Sequence, residues 1–380
     1  MSSPIVWPRA LALLLGLCLI PGSILWLLCV VTWMGWILGL SMGLIGVGPL
    51  LWCIGDERAS DCQIWFGKAC LLIGLIAVAV IAWRAPDGRT PAEGQMHSRY
   101  SDGQWHYDRF SFGNVVPEID QIHLGFAAAL ALDPLFTRKQ ANELAGLTDE
   151  IYAEQARNAE FHACGSAMGQ IYNEITFLSF ADGHYFHYIP AQIDRSRPSP
   201  ALVFLHGSGG NFKAYTWLLA QLAENTGHTV IAPSFGLGNW EKRGASEAIN
   251  SAIQDAHRHA EIDFSQVHLM GLSNGGKGVS LFASSSPIRF RSLIFLSALI
   301  HNSDAPRMIA AKDMDTPVLA LSGGSDDRIP WDYITHYTMK MADEGLPVTT
   351  RRIEGADHFL FFRQRQAVLD EITDWLEAHR

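Results

Sequence analysis

At 380 residues, with 48% hydrophobic and 17% charged side chains, the chain is longer than one compact domain usually needs. Its formal charge of −10 is carried wholly by residues 84–380, where 25 basic side chains face 35 acidic ones, a balance that excludes the basic field needed to hold nucleic acid. Five of the six cysteines (Cys18, Cys29, Cys53, Cys62 and Cys70) lie in or beside apolar runs, so Cys164 is alone in the remainder and neither an internal disulfide nor a cysteine zinc site can be built there.

Residues 10–55 hold no charged residue and no histidine, a run longer than the roughly 20 apolar residues that cross a bilayer as a helix. A second apolar run, 64–83, has Lys68 near one end and tryptophans at both ends, in the manner of an interfacial belt. Three spans are expected, near 10–30, 33–54 and 64–83, with Pro21-Gly22 as a kink inside the first. The alternative has two spans, with residues 5–20 lying at the interface. A cleaved signal peptide would account only for the first dozen apolar residues. The expected organisation is a membrane region at 1–83, a connecting segment at 84–170 and a catalytic domain at 171–380, with the lipid bilayer as a partner.

In the connecting segment, residues 84–116 are rich in Gly, Pro, Asp and Ser with scattered aromatics, as in an extended segment lying on a surface. Residues 118–162 read as helical, with Thr137 and Gln140 spaced as a capping box. From residue 171 onward, apolar runs of β type alternate with helical patterns, the signature of a mostly parallel sheet covered by helices on both faces. Strands are predicted at 171–179, 184–190, 201–206, 229–232, 267–271, 293–297, 318–322 and 348–353, and helices at 213–225, 245–260, 275–284, 331–343 and 364–378.

The chemistry-bearing residues fall at the ends of these strands. Gly271-Leu272-Ser273-Asn274-Gly275 fits G-x-S-x-G, in which small residues let a strained turn lift a serine hydroxyl out of a sheet. The string alone is weak, but it follows an apolar run and precedes a helix-compatible one, as that turn requires. Upstream, the strand at 201–206 runs into His206-Gly207-Ser208-Gly209-Gly210, where glycines free backbone N–H groups to point at a developing oxyanion. The expected donors are the amides of Ser208 and Asn274, and His206 is expected to be structural. A phosphate-cradling loop would need a lysine and a spacing that are absent.

Two further loops complete the set. Asp326 lies after the predicted strand 318–322, and His358 follows the last strand. The order Ser273, Asp326, His358 suits a serine activated by an imidazole, which a carboxylate orients in turn. His257 with His259, and His184 with His187, sit at spacings that do not share a face, so no metal site is expected.

Residues 171–380 resemble the α/β-hydrolase superfamily, in the branch of dienelactone hydrolases, feruloyl esterases and polyhydroxybutyrate depolymerases. The resemblance rests on His206-Gly207-Ser208-Gly209-Gly210, on Gly271-Leu272-Ser273-Asn274-Gly275-Gly276, on the G-x-x-D-x-x-[IV]-P run from Gly323 with Asp326 to Pro330, and on Gly355-Ala356-Asp357-His358. It implies an α/β-hydrolase fold, with Asp326 rather than Asp327 as the acid.

It also implies a carboxylic ester hydrolase acting through an acyl-enzyme on an ester-containing small molecule or polymer, with no cofactor and no metal. The alternatives are a peptidase or amidase of the same fold, and an inactive hydrolase domain serving as a binding module. Only about twenty residues separate the strands at 293–297 and 318–322, too few for a helical cap domain, so an open site is expected, rimmed by Phe212, Tyr215, Trp240 and Trp331. The single cysteine outside the apolar runs and the likeness to esterases of external polymers place the catalytic domain on the extracytoplasmic side.

Overall fold

The computed structural model describes residues 6–54, 61–104, 106, 111–176 and 183–380. They form two compact units: one takes the described residues up to Pro86 and from 111 to Ala141, the other those from Asp87 to 106 and from Asn142 to Arg380. The connecting segment expected at 84–170 is thus divided between the units.

The first unit holds α1 (Val6–Cys29), α2 (Trp33–Ile54) and α3 (Asp61–Arg84), with α4 (Phe112–Val115) and α5 (Glu118–Leu132). The first three are long and apolar enough to cross a membrane, with mean hydropathies of 2.4, 1.7 and 2.4. Helix α1 runs unbroken past Pro21, so residues 6–20 do not form a separate interfacial helix. Where these helices touch, small residues let the backbones approach: Gly16 faces Leu50 and the Gly46 carbonyl, while Gly48 faces the Gly67 carbonyl.

The second unit is built on an eight-stranded sheet ordered β1-β2-β4-β3-β5-β6-β7-β8. Its strands are β1 (Met96–Tyr100), β2 (His184–Tyr188), β3 (Ser199–Leu205), β4 (Thr229–Pro233), β5 (Ile262–Leu272), β6 (Ser292–Leu296), β7 (Val318–Gly323) and β8 (Val348–Ile353). β2 pairs antiparallel with β1 and β4, and from β4 onward every pairing is parallel. Helices α6 (Arg138–Gln155), α7 (Ala159–Ala163) and α8 (Met168–Thr176) precede β2. The later helices are α9 (Lys213–Thr226), α10 (Ala245–His259), α11 (Gly275–Ser285), α12 (Ala305–Lys312), α13 (Trp331–Asp343), α14 (Leu360–Arg363) and α15 (Arg365–Ala378).

Alternation along β3 shows why its sequence reads as an uninterrupted apolar run. Leu202 and Phe204 pack with α9 and α15 on one face, whereas Ala201, Val203 and Leu205 pack with α10 and α11 on the other. A strand covered on both faces has no polar side to display.

Two sequence expectations change. Residues 171–176 are helical, as the end of α8, and the rest of the predicted strand 171–179 lies outside the described residues. Met168, Ile171 and Ile175 recur at helical spacing, and Ile171 is buried at Gly210, where a side chain would collide with it. The sheet edge comes instead from β1, within the segment read as extended surface. Met96 is fully buried, and the edge is tied in by His184, whose two ring nitrogens meet Ser98 Oγ and Ser234 Oγ at 2.7 Å each.

Candidate active site

The parallel strands end along one edge, and the predicted site residues sit in the loops that leave it. β5 delivers Ser273 into a left-handed turn with φ of 52° before α11 begins. Such a conformation costs a non-glycine residue roughly 1–3 kcal/mol and persists only where the surroundings over-determine it. Here they do. Ser273 donates its N–H to the Leu296 carbonyl at 3.1 Å, and its own carbonyl accepts from Leu299 at 3.0 Å and Gly276 at 3.1 Å. Side chains at Gly271 or Gly275 would strike neighbouring backbone, so both must be glycine for the turn to close.

His358 arrives from the loop after β8, which is braced by the Ser325 N–H donating to the Ala356 carbonyl at 2.8 Å. His358 Nε2 lies 3.0 Å from Ser273 Oγ, and Nδ1 lies 2.9 Å from Asp326 Oδ2. The second oxygen of Asp326 accepts the N–H groups of Arg328 at 2.9 Å and Ile329 at 2.8 Å, so a fully covered carboxylate is held in one orientation. A carboxylate can only accept, so the imidazole proton sits on Nδ1 and Nε2 is left to accept from the serine hydroxyl. Asp327 is exposed. Asp357 pairs with Arg363, which also pairs with Glu143.

Opposite the serine, the loop after β3 passes so close that a side chain at Gly207 would meet Ser273 Cβ at 3.2 Å. Gly209 and Gly210 take φ of 96° and 107°, and Gly209 donates to the Leu237 carbonyl at 3.1 Å. Among the described residues, the amides of Ser208 and Asn274 donate to no protein acceptor. The Asn274 side-chain amide donates to Ser208 Oγ at 2.8 Å, clasping the two loops that carry those N–H groups.

His206 is fully buried and structural. Its Nε2 accepts from the Phe235 N–H at 3.1 Å and its Nδ1 donates to the Gly207 carbonyl at 2.8 Å. Burial pushes its pKa down to about 4, so it stays neutral and holds both loops.

The expected rim needs correction. Trp240 is only 1% exposed: its indole N–H donates to the His206 carbonyl at 2.8 Å, its ring stacks on Phe235, and Gly278 makes room for it. Tyr215 is 6% exposed, enclosed by Phe204, Phe212, Phe361 and Phe362. Both are core residues: Tyr215 lies on the buried face of α9, and Trp240 is held inward against His206. Asn211 is likewise buried, donating to the Ala232 carbonyl at 2.9 Å and to Ser234 Oγ at 3.0 Å.

Phe212 and Trp331 keep partly exposed faces. Phe212 lies beside Gly209, and Trp331 packs in the cluster of Leu299 and Tyr333 under the Arg352 guanidinium. Trp240→Ala should therefore act on stability, costing about 3–5 kcal/mol as a large core truncation. A thermal melt checks this; an unchanged midpoint with a raised KM would return Trp240 to the rim.

Sequence reading missed Glu174 on α8. It accepts from the Leu237 N–H at 2.6 Å and from the Asn239 side chain at 3.2 Å, and it pairs with Lys242, pinning the loop behind the glycine turn. It also missed the Tyr333 hydroxyl, which bridges both backbone groups of Ile300. Neither carries a local sequence signal, since each partner lies 33 or more residues away.

Residues 200–315 match a family model described as alpha/beta hydrolase fold. No curated protein matches the chain. Similar solved structures include a thermostable esterase at 19% identity, covering 51% of this chain and 58% of that one with a TM-score of 0.42. Esterase PE8 is 19% identical over 51% of this chain and 97% of that one, with a TM-score of 0.43. The fluorophosphonate-binding serine hydrolase FphF of Staphylococcus aureus, in a substrate-bound form, is 15% identical over 51% of this chain and 91% of that one, with a TM-score of 0.42. The mostly parallel eight-stranded sheet, with Ser273 at its strand-to-helix turn, is an α/β-hydrolase fold, and the chain carries an α/β-hydrolase-superfamily segment.

Proposed function

We propose that the protein is a membrane-anchored serine hydrolase, cleaving carboxylic esters through an acyl-enzyme. The observation that carries the reading is the hydrogen-bonded run Ser273–His358–Asp326, set opposite two undonated amides. His358 Nε2 takes the hydroxyl proton as Ser273 Oγ attacks the ester carbonyl carbon. The N–H groups of Ser208 and Asn274 receive the negative charge that develops on the carbonyl oxygen. Asp326 stabilises the imidazolium, which then protonates the departing alkoxide. Water, activated by the same imidazole, releases the acid and restores the serine.

The connection from β6 to β7 holds a single short helix, α12, which favours an open site and so an ester with a bulky or polymeric alcohol side. Phe212 and Trp331 would line its rim. Helices α1–α3 would anchor the chain, with the hydrolase unit on the extracytoplasmic side.

A fluorophosphonate probe should label the purified full chain at Ser273 alone, and pre-treatment should abolish turnover of aryl esters. An unlabelled Ser273 in folded protein would favour the inactive binding module. A parallel panel of esters and peptides separates esterase from peptidase.

A further inference from the structure

Helix α5 begins buried and ends bare. Glu118, Ile119, Asp120, Gln121 and Ile122 are buried, whereas residues 124–132 are nine successive positions without a polar side chain, none of them buried. Leu130 and Leu132 are 39% and 82% exposed, and Leu135 in the following turn is 46% exposed. A helix that packs on a protein in water buries an apolar stripe and shows a polar one; a helix apolar all round is found in the core of a large protein or in a membrane. Nine residues rise only about 14 Å, less than half of the roughly 30 Å hydrocarbon core, so this stretch cannot span.

The buried end fixes where the helix stands relative to the candidate spans. Asp120 is fully buried, and its Oδ1 accepts the N–H groups of Val31 at 2.7 Å and Thr32 at 3.0 Å. Its Oδ2 accepts the Thr32 hydroxyl at 2.5 Å, while Thr32 Oγ1 caps α2 by accepting from the Gly35 N–H at 2.9 Å. A side chain at Gly35 would collide with that carboxylate. Asp120 therefore supplies a negative charge to the amino-terminal end of α2, at the turn where α1 hands over to α2. In a three-span arrangement this turn lies on the same side as the end of α3, from which the chain continues to α5. Trp33 and Trp36 are exposed beside it, and Trp26 meets the exposed Phe112 edge-on, as aromatics do at the bilayer boundary. The bare stretch ends at the half-buried Asp133, whose carboxylate accepts the Leu135 N–H at 2.9 Å, and the exposed cations Arg138 and Lys139 follow.

We infer that α5 and the turn after it form an interfacial membrane element: residues 124–135 sit in the headgroup–acyl boundary of one leaflet, with Arg138 and Lys139 at the phosphates. The inference rests on reading α1–α3 as spans, and it makes the anchor a three-span bundle with a lateral float.

The test places one full-length chain per nanodisc, in phosphatidylcholine that carries a diazirine near mid-chain, and maps the adducts after irradiation by peptide mass spectrometry. Adducts on residues 124–135 at within about fivefold of those on α1–α3 are expected. Labelled spans with residues 124–135 below a tenth of their level would overturn the interfacial helix and leave the anchor standing. Unlabelled spans would overturn both. If residues 124–135 are labelled less than a tenth as much as the spans in single-chain discs, but shielded from an aqueous carbene reagent in discs holding two chains, a second copy is the occupant and the inference fails.

Discussion

Ser273→Ala is expected to lower ester turnover by on the order of 10⁴-fold or more while leaving the melting midpoint within a few degrees of the parent. The hydroxyl is the atom that bonds the substrate carbon in the proposed reaction, and no other nucleophile hydrogen-bonds His358 Nε2 among the described residues. Alanine at this position would inherit the same left-handed backbone that serine already bears, and the three backbone bonds that fix the turn are untouched. A variant that keeps more than about a tenth of the parent rate would remove Ser273 from the nucleophile's role.

The neighbouring acids give a graded version of the same test. Asp326→Asn offers His358 Nδ1 an amide in place of a carboxylate, losing both the tautomer control and the charge that steadies the imidazolium. A drop of about 10³–10⁴-fold is expected. Asp327→Asn changes an exposed side chain and should alter the rate by less than about twofold. A larger effect at Asp327 than at Asp326 would reassign the acid.

The second large expectation is loss of the folded hydrolase unit in mild acid. Burial pushes the pKa down to about 3 for His97, His184 and His268 and to about 4 for His206 and His228, and well below the usual range for His187. Both ring nitrogens of His187, and Nε2 of His228 and His268, have no hydrogen-bond partner among the described residues, so nothing in the fold welcomes a proton there. The sign follows from which state binds the proton. Above about pH 6.5 these imidazoles are neutral folded and unfolded, and their contribution to stability is at its full value. As pH falls below 6.5 the unfolded chain takes up protons that the folded chain refuses, so stability declines until the folded pKa values near 3 and 4 are reached.

Each such group contributes a slope of about 1.4 kcal/mol per pH unit, and six acting together approach about 8 kcal/mol per unit, against a typical total stability of about 5–15 kcal/mol. Cooperative unfolding between about pH 5 and 6, accompanied by uptake of several protons, is therefore expected. Circular dichroism and potentiometric titration of the nanodisc-held chain would measure it. A melting midpoint unchanged between pH 7 and pH 4 would show that these histidines are not buried neutral.

The three long apolar helices, the parallel sheet and the turn at Ser273 were legible in the sequence because each depends on local composition. An apolar run of helical length needs no partner to declare itself. A strand covered on both faces, such as β3, must be apolar throughout, and a left-handed turn pressed against backbone must be flanked by glycine at Gly271 and Gly275.

The tertiary structure decided what depends on distant partners. A short apolar run is ambiguous between strand and helix, and the packing of Ile171 at Gly210 settled residues 171–176 as helix. An aromatic residue on a glycine-rich loop, or in the first turn of the helix after one, can face solvent or core by local sequence alone; Trp240 and Tyr215 turned inward because His206, Phe235 and Phe361 complete their surroundings. Asp326 was separated from Asp327 by burial and by its bond to His358, 32 residues away. Asp120 found its partner at Thr32, 88 residues earlier in the chain, because the unpaired amides at the start of a helix draw in a carboxylate wherever the fold supplies one.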